Sequence, residues 1–131
     1  MWVWLLEGNT SKTSPAAPAL MVRAAAGGNL YVSDISFWEV AQKAAKGKLV
    51  LSLPVSIWLA RAERAPGISY ISLDRTILIQ SALPSPLRGD PADRLLVATA
   101  QLRSTPLMTV DAEIIRYAES QPGVPVCDAR R

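Results

Sequence analysis

Three acidic residues stand where the chain passes between predicted strands and helices. Glu39 follows the β-favouring run Leu30-Tyr31-Val32-Ser33 and falls in the first turn of the next helical segment. Asp111 comes directly after Pro106-Leu107-Met108-Thr109-Val110, which reads as a strand. Asp93 lies near the start of a mostly apolar helix, Asp90-Pro91-Ala92-Asp93-Arg94-Leu95-Leu96-Val97-Ala98-Thr99-Ala100. Ligands of open α/β sheets gather beyond the carboxyl ends of the strands, so carboxylates from separate stretches can converge on one sheet edge. Clustered hard oxygen donors suit Mg²⁺ or Mn²⁺, which keep several waters and bind phosphates. Such an ion generates a nucleophilic hydroxide and steadies the leaving oxygen in phosphodiester hydrolysis.

Each acid also has a structural reading. Ser36-Phe37-Trp38-Glu39 matches a capping box, in which the glutamate only returns a hydrogen bond to the helix start. Asp90 is a good N-cap with Pro91 at the first helical position. Asp93 in the first turn faces the positive end of the helix dipole, worth ~0.3–1 kcal/mol. Asp111 is placed to cap the following helix. Taken singly, the structural role is the better reading of each; taken jointly, the shared sheet edge favours a site. Asp74, after Ile68–Ser72, is a further candidate by spacing. Lys43, Lys46, Lys48, Arg88 and Arg94 lie outside the acidic ring, where they can hold a nucleic-acid backbone. The lysines also suit a solvated helix end.

The elements that must position these residues follow from punctuation and periodicity. Helices are predicted over Ala16–Ala26, from Ser36 to about Lys46, from Pro54 to about Arg64, over Arg75–Ala82, from Pro91 onward, and over Ala112–Glu119. Strands are predicted at Leu30–Ser33, Ile68–Ser72, Pro106–Val110 and Gly123–Cys127, the last tolerating Pro125 at an edge. Leu49–Leu53 is ambiguous between strand and loop. Strands alternating with helices predict an α/β domain with a mainly parallel sheet. No repeat or long linker divides the chain, so residues 1–131 read as one domain.

Composition narrows the chemistry. The 131 residues contain no histidine, which excludes Ser-His-Asp and Cys-His catalysis and histidine-bearing zinc sites. Acid–base work must then come from carboxylates, lysine, tyrosine or metal-bound water. A net charge of +3 weakly favours a polyanionic partner. Half the residues are apolar and 19% are charged, which argues against disorder. No apolar run approaches the ~18 residues of a membrane span, and Glu7 interrupts the opening Met1–Leu6 run. One cysteine, Cys127, allows no internal disulfide, so a cytoplasmic location without membrane contact is expected. Trp2, Trp4, Trp38 and Trp58 read as core or interface residues, not base-stacking platforms.

The motifs resemble those of the VapC-like PIN-domain ribonucleases. Ser33-Asp34-Ile35-Ser36-Phe37-Trp38-Glu39-Val40-Ala41-Gln42-Lys43, with Gly47-Lys48-Leu49, is similar to the family's second acidic motif; the runs ending at Ala100 and Asp111 resemble its third and fourth. The order and spacing hold over nearly the whole chain. The resemblance implies a three-layer α/β/α sandwich around a mainly parallel central sheet, and metal-dependent endoribonuclease activity. It also implies the toxin role of a type II toxin–antitoxin pair, with a cognate antitoxin and a homodimer. Carried over by position, Glu39, Asp93 and Asp111 hold Mg²⁺ or Mn²⁺ and orient water at a scissile RNA phosphate. Lys43 and Arg94 match recurrent family positions. Together with Asp90, Arg88 and Thr109 they are expected to contact substrate or support the acids, although Arg88 stands where this subgroup often has histidine.

One departure matters. The family pattern begins with a strand ending in an aspartate just ahead of a segment like Trp2–Gly8, and this sequence begins inside that pattern. Glu7 belongs to the helix side of the motif and is a poor substitute. The resemblance therefore implies a missing first strand and first aspartate, with a truncated start preferred over a degenerate toxin. Weak metal binding, little or no cleavage and a destabilised sheet are expected. The alternatives are a catalytically impaired, antitoxin-binding module and, more distantly, a phosphate-handling α/β hydrolase acting on small molecules.

Overall fold

A computed structural model of the chain describes residues 16–85, Leu87, 91–121 and 123–131. The Trp2–Leu6 run, the Gly8–Pro15 loop, Arg88 and the Asp90 cap lie outside the described residues. Helix α1 (Ala16–Ala26) leads to β1 (Leu30–Ser33), α2 (Ile35–Ala45) and α3 (Val55–Glu63). Then come β2 (Ile68–Ile71), α4 (Arg75–Ala82) and α5 (Pro91–Arg103). β3 (Leu107–Thr109), α6 (Ala112–Ser120) and β4 (Val126–Asp128) complete the order. The alternation expected from the sequence is present, and α1 stops where Gly28 takes the left-handed φ of 73°.

β1 pairs with β2 in parallel, Val32 opposite Tyr70, and β3 pairs with β4 in parallel, Met108 opposite Cys127. Both pairs are parallel, as expected of a mainly parallel sheet, and among the described residues they form two two-stranded sheets. The core is divided accordingly. On the β1 side, Val32, Val40, Trp58 and Ala62 pack together, joined by Leu49, Leu51 and Leu53 from the segment that sequence left ambiguous. On the β3 side, Leu87, Val97 and Ile114 form a second cluster. Between them, Ile35, Ile77, Ala92, Leu95 and Ala98 knit α2, α4 and α5 together. Trp58 is buried as expected, whereas Trp38 is half exposed at 52%.

Two local expectations change. Helix α2 begins at Ile35, so Ser36 lies inside it and the capping box does not form. The Ser33 hydroxyl at the strand end accepts the Ile35 N–H at 3.3 Å, and Asp34 is already helical with no side-chain cap bond. The last strand starts at Val126, after Pro125, whose carbonyl accepts the Leu107 N–H at 2.9 Å. Among the described residues no helix is long and apolar enough to cross a membrane.

Candidate active site

A cleft of about 500 Å³ opens between β1 and β3, within the size range of small-molecule sites. Glu39 and Asp111 line it, brought there by different elements: α2 follows β1, and Asp111 follows β3. Glu39 lies in the second turn of α2, half-buried, one turn ahead of exposed Lys43 on the same helix face. Lys43 lines the cleft too, as do Thr99 and Arg103 from α5. The lining thus carries both signs of charge.

Asp111 has a double placement. Its Oδ1 accepts the N–H groups of Glu113 at 2.9 Å and Ile114 at 3.2 Å, capping α6. Its own N–H donates to Thr109 Oγ1 at 3.0 Å, so Thr109, which also lines the cleft, fixes the backbone at this corner. Among the described residues Oδ2 accepts no hydrogen bond, leaving one oxygen for a ligand.

Asp93 occupies the first turn of α5, half-buried. It is three residues ahead of Leu96, which lines the cleft, so the two share a helix face. Arg94 turns the other way. Its Nε donates to Ser81 O at 2.9 Å and its Nη2 to Leu83 O, tying α5 to the end of α4. Arg94, expected to contact substrate or support the acids, here donates to the last carbonyls of α4, which need donors. Asp74 is likewise occupied, capping α4 through the Ile77 N–H at 2.9 Å.

Sequence reading missed three polar groups here. Ser33 and Thr99 are buried polar residues lining the cleft; the Thr99 hydroxyl donates to Leu95 O at 2.7 Å. Arg103 sits ten residues after Asp93, on the helical stripe through Leu96 and Ala100, a periodicity that would have revealed it.

Glu39 and Asp111 offer the hard carboxylate oxygens that such an ion takes one or two at a time while keeping waters. Among the described residues, however, no three His, Cys, Asp or Glu side chains lie close enough together to hold a metal. The expected three-acid cluster of Glu39, Asp93 and Asp111 is thus not assembled among them. Glu39 is carried by the helix that follows β1 and Asp111 stands just after β3, and one oxygen of Asp111 is turned onto α6.

The PIN domain family model matches residues 1–120. The chain belongs to the PIN-domain family. This PIN domain is also similar to Ribonuclease VapC22 of Mycobacterium tuberculosis (strain ATCC 25618 / H37Rv). The two are 33% identical over 94 residues, 71% of this chain and 71% of that protein. No solved structure matches.

Proposed function

We propose that this PIN domain is a metal-dependent endoribonuclease, the toxin of a type II toxin–antitoxin pair. The observation that carries the reading is that Glu39 and Asp111, far apart in sequence, line one cleft beside Lys43. The ribonuclease similarity supplies the substrate class. Glu39 and Asp111 are the carboxylates that would hold Mg²⁺ or Mn²⁺, with Asp93 contributing from the first turn of α5. The ion would supply an acidified water and neutralise charge at a phosphodiester. Lys43 is placed to bind the RNA backbone by charge. Thr109 holds the Asp111 backbone and so orients its carboxylate. A cognate antitoxin, a homodimer and a cytoplasmic setting belong to the same reading.

RNA cleavage with Mg²⁺ or Mn²⁺ by the protein extended upstream of Met1 to include the family's first strand and aspartate tests it. Glu39→Gln and Asp111→Asn should each lower the rate by ~10²-fold or more, the scale of losing one preorganised electrostatic group. Circular dichroism should stay unchanged. Absence of cleavage across RNA substrates by folded, metal-binding protein would sink the reading.

A second reading rests on the missing three-acid cluster among the described residues. In it the chain is catalytically impaired and acts by binding an antitoxin. Capture of a small partner protein together with no metal-dependent cleavage would favour it.

A further inference from the structure

The carboxyl ends of β3 and β4 are built alike. Each strand closes on a residue whose side-chain oxygen accepts the N–H two places on. Thr109 Oγ1 accepts that of Asp111 at 3.0 Å, and Asp128 Oδ1 accepts that of Arg130 at 2.9 Å. Thr109 and Asp128 are register partners, and the Ala129 N–H donates to Thr109 O at 2.9 Å. Asp111 and Arg130 therefore follow the same end of the strand pair, on neighbouring strands whose backbones run ~5 Å apart. The PIN family match ends at residue 120, so β4 and this turn lie beyond it.

Asp128 fixes more than the backbone. Its carboxylate, 15% exposed, accepts Arg130 Nε on Oδ1 at 3.0 Å and Nη2 on Oδ2 at 2.9 Å. That fork occupies one edge of the guanidinium. Of the five N–H groups three remain, two on Nη1 and one on Nη2, and these form the other edge. Among the described residues nothing accepts from that edge, and the side chain is 44% exposed. Arg131 stands alongside, its Nε 3.5 Å from Asp128 Oδ2, and is exposed. Glu119 acts on Arg130 through space, with no ion pair between them.

We propose that Arg130, oriented by Asp128 and accompanied by Arg131, binds an RNA backbone phosphate flanking the one served by Glu39 and Asp111. The open edge of a guanidinium takes two phosphate oxygens at once, a match in shape as well as charge. With its other edge held by Asp128, Arg130 has little rotamer freedom left to lose on binding. Asp128 neutralises one of the two arginine charges and leaves the other to attract a polyanion. That the phosphate belongs to RNA rests on the nuclease reading; the geometry of the held guanidinium does not.

The probe is a short, fluorescein-labelled single-stranded RNA, bound to the full chain in EDTA so that no cleavage intervenes. Arg130→Ala should weaken binding ~10-fold or more, the scale of losing charge-assisted hydrogen bonds, and should reduce the salt slope by ~1. Arg130→Lys should restore the salt slope but not the affinity, since an ammonium has no fork. Asp128→Asn separates orientation from bulk charge. It removes a negative charge, so attraction by charge alone would tighten binding. Release of the held guanidinium should instead weaken it ~2–10-fold, the cost of immobilising one rotamer-rich side chain. Circular dichroism checks that each variant is folded; where Asp128→Asn is not, Arg130→Lys carries the comparison. Unchanged binding in Arg130→Ala, full affinity in Arg130→Lys, tighter binding in Asp128→Asn, or no RNA binding by the parent overturns the proposal. Displacement of RNA by inorganic phosphate below millimolar concentration also overturns it, assigning Arg130 to free phosphate. Binding is read without metal, so absent cleavage leaves this result standing, and cleavage indifferent to Arg130 leaves the nuclease reading standing.

Discussion

At Asp111 a structural duty and a candidate catalytic one fall on one carboxylate, and substitution can separate them. Asparagine keeps an oxygen competent to cap α6, whereas alanine removes both cap and charge. In urea denaturation Asp111→Asn should remain within ~0.5 kcal/mol of the parent, and Asp111→Ala should lose ~1 kcal/mol. Both should lose RNA cleavage. A second carboxylate, Asp128, has a purely electrostatic signature. The Arg130 guanidinium bonds it at 2.9 and 3.0 Å, and the Arg130 N–H also donates to it, holding its pKa at about 2. A folded pKa below the unfolded one stabilises the fold fully above the ordinary Asp value of about 3.9, and that contribution is lost as pH falls toward about 2. Carboxyl NMR titration should show this low midpoint, and Arg130→Ala should return it toward the ordinary range.

Junctions between elements are set by contacts that neighbouring residues cannot foretell. Gly67, leading into β2, has φ of 80°, and a Cβ there would lie 2.5 Å from Ala25 O at the end of α1. Backbone against Cβ leaves no flexible group to yield. Gly67→Ala should therefore cost more than ~1 kcal/mol, combining the left-handed penalty with the overlap, and should lower Tm measurably. Arg94 works at a comparable junction, fastening the start of α5 to the end of α4. The type of each helix and strand was legible because apolar period and Gly or Pro punctuation are local properties. The start of α2 was not: a capping box was written into Ser36 to Glu39, yet the Ser33 hydroxyl takes the first amide instead.

Across the whole molecule the middle cluster joins α2, α4 and α5, the helices that lie along the chain between the two strand pairs. Ile77 is 1% exposed and packs in the cluster shared by α2, α4 and α5. Truncating such a side chain typically costs ~2–5 kcal/mol, a large share of the ~5–15 kcal/mol by which domains are stable. Ile77→Ala should thus shift the denaturation midpoint strongly while the denaturant slope stays constant. A fall in slope instead would mean that the two sheets unfold separately.

The sequence by itself determined the order of helices and strands, the exclusion of histidine chemistry, and the placing of Glu39 and Asp111 at strand-to-helix passages. Those features depend on residue type and short-range spacing. Tertiary structure decided which strand lies beside which, and therefore that the two acids line one cleft between β1 and β3. It also decided that Arg94 serves backbone carbonyls and that Asp111 gives one oxygen to α6. Pairing and side-chain direction are set by contacts between residues distant in sequence, and no local pattern encodes them.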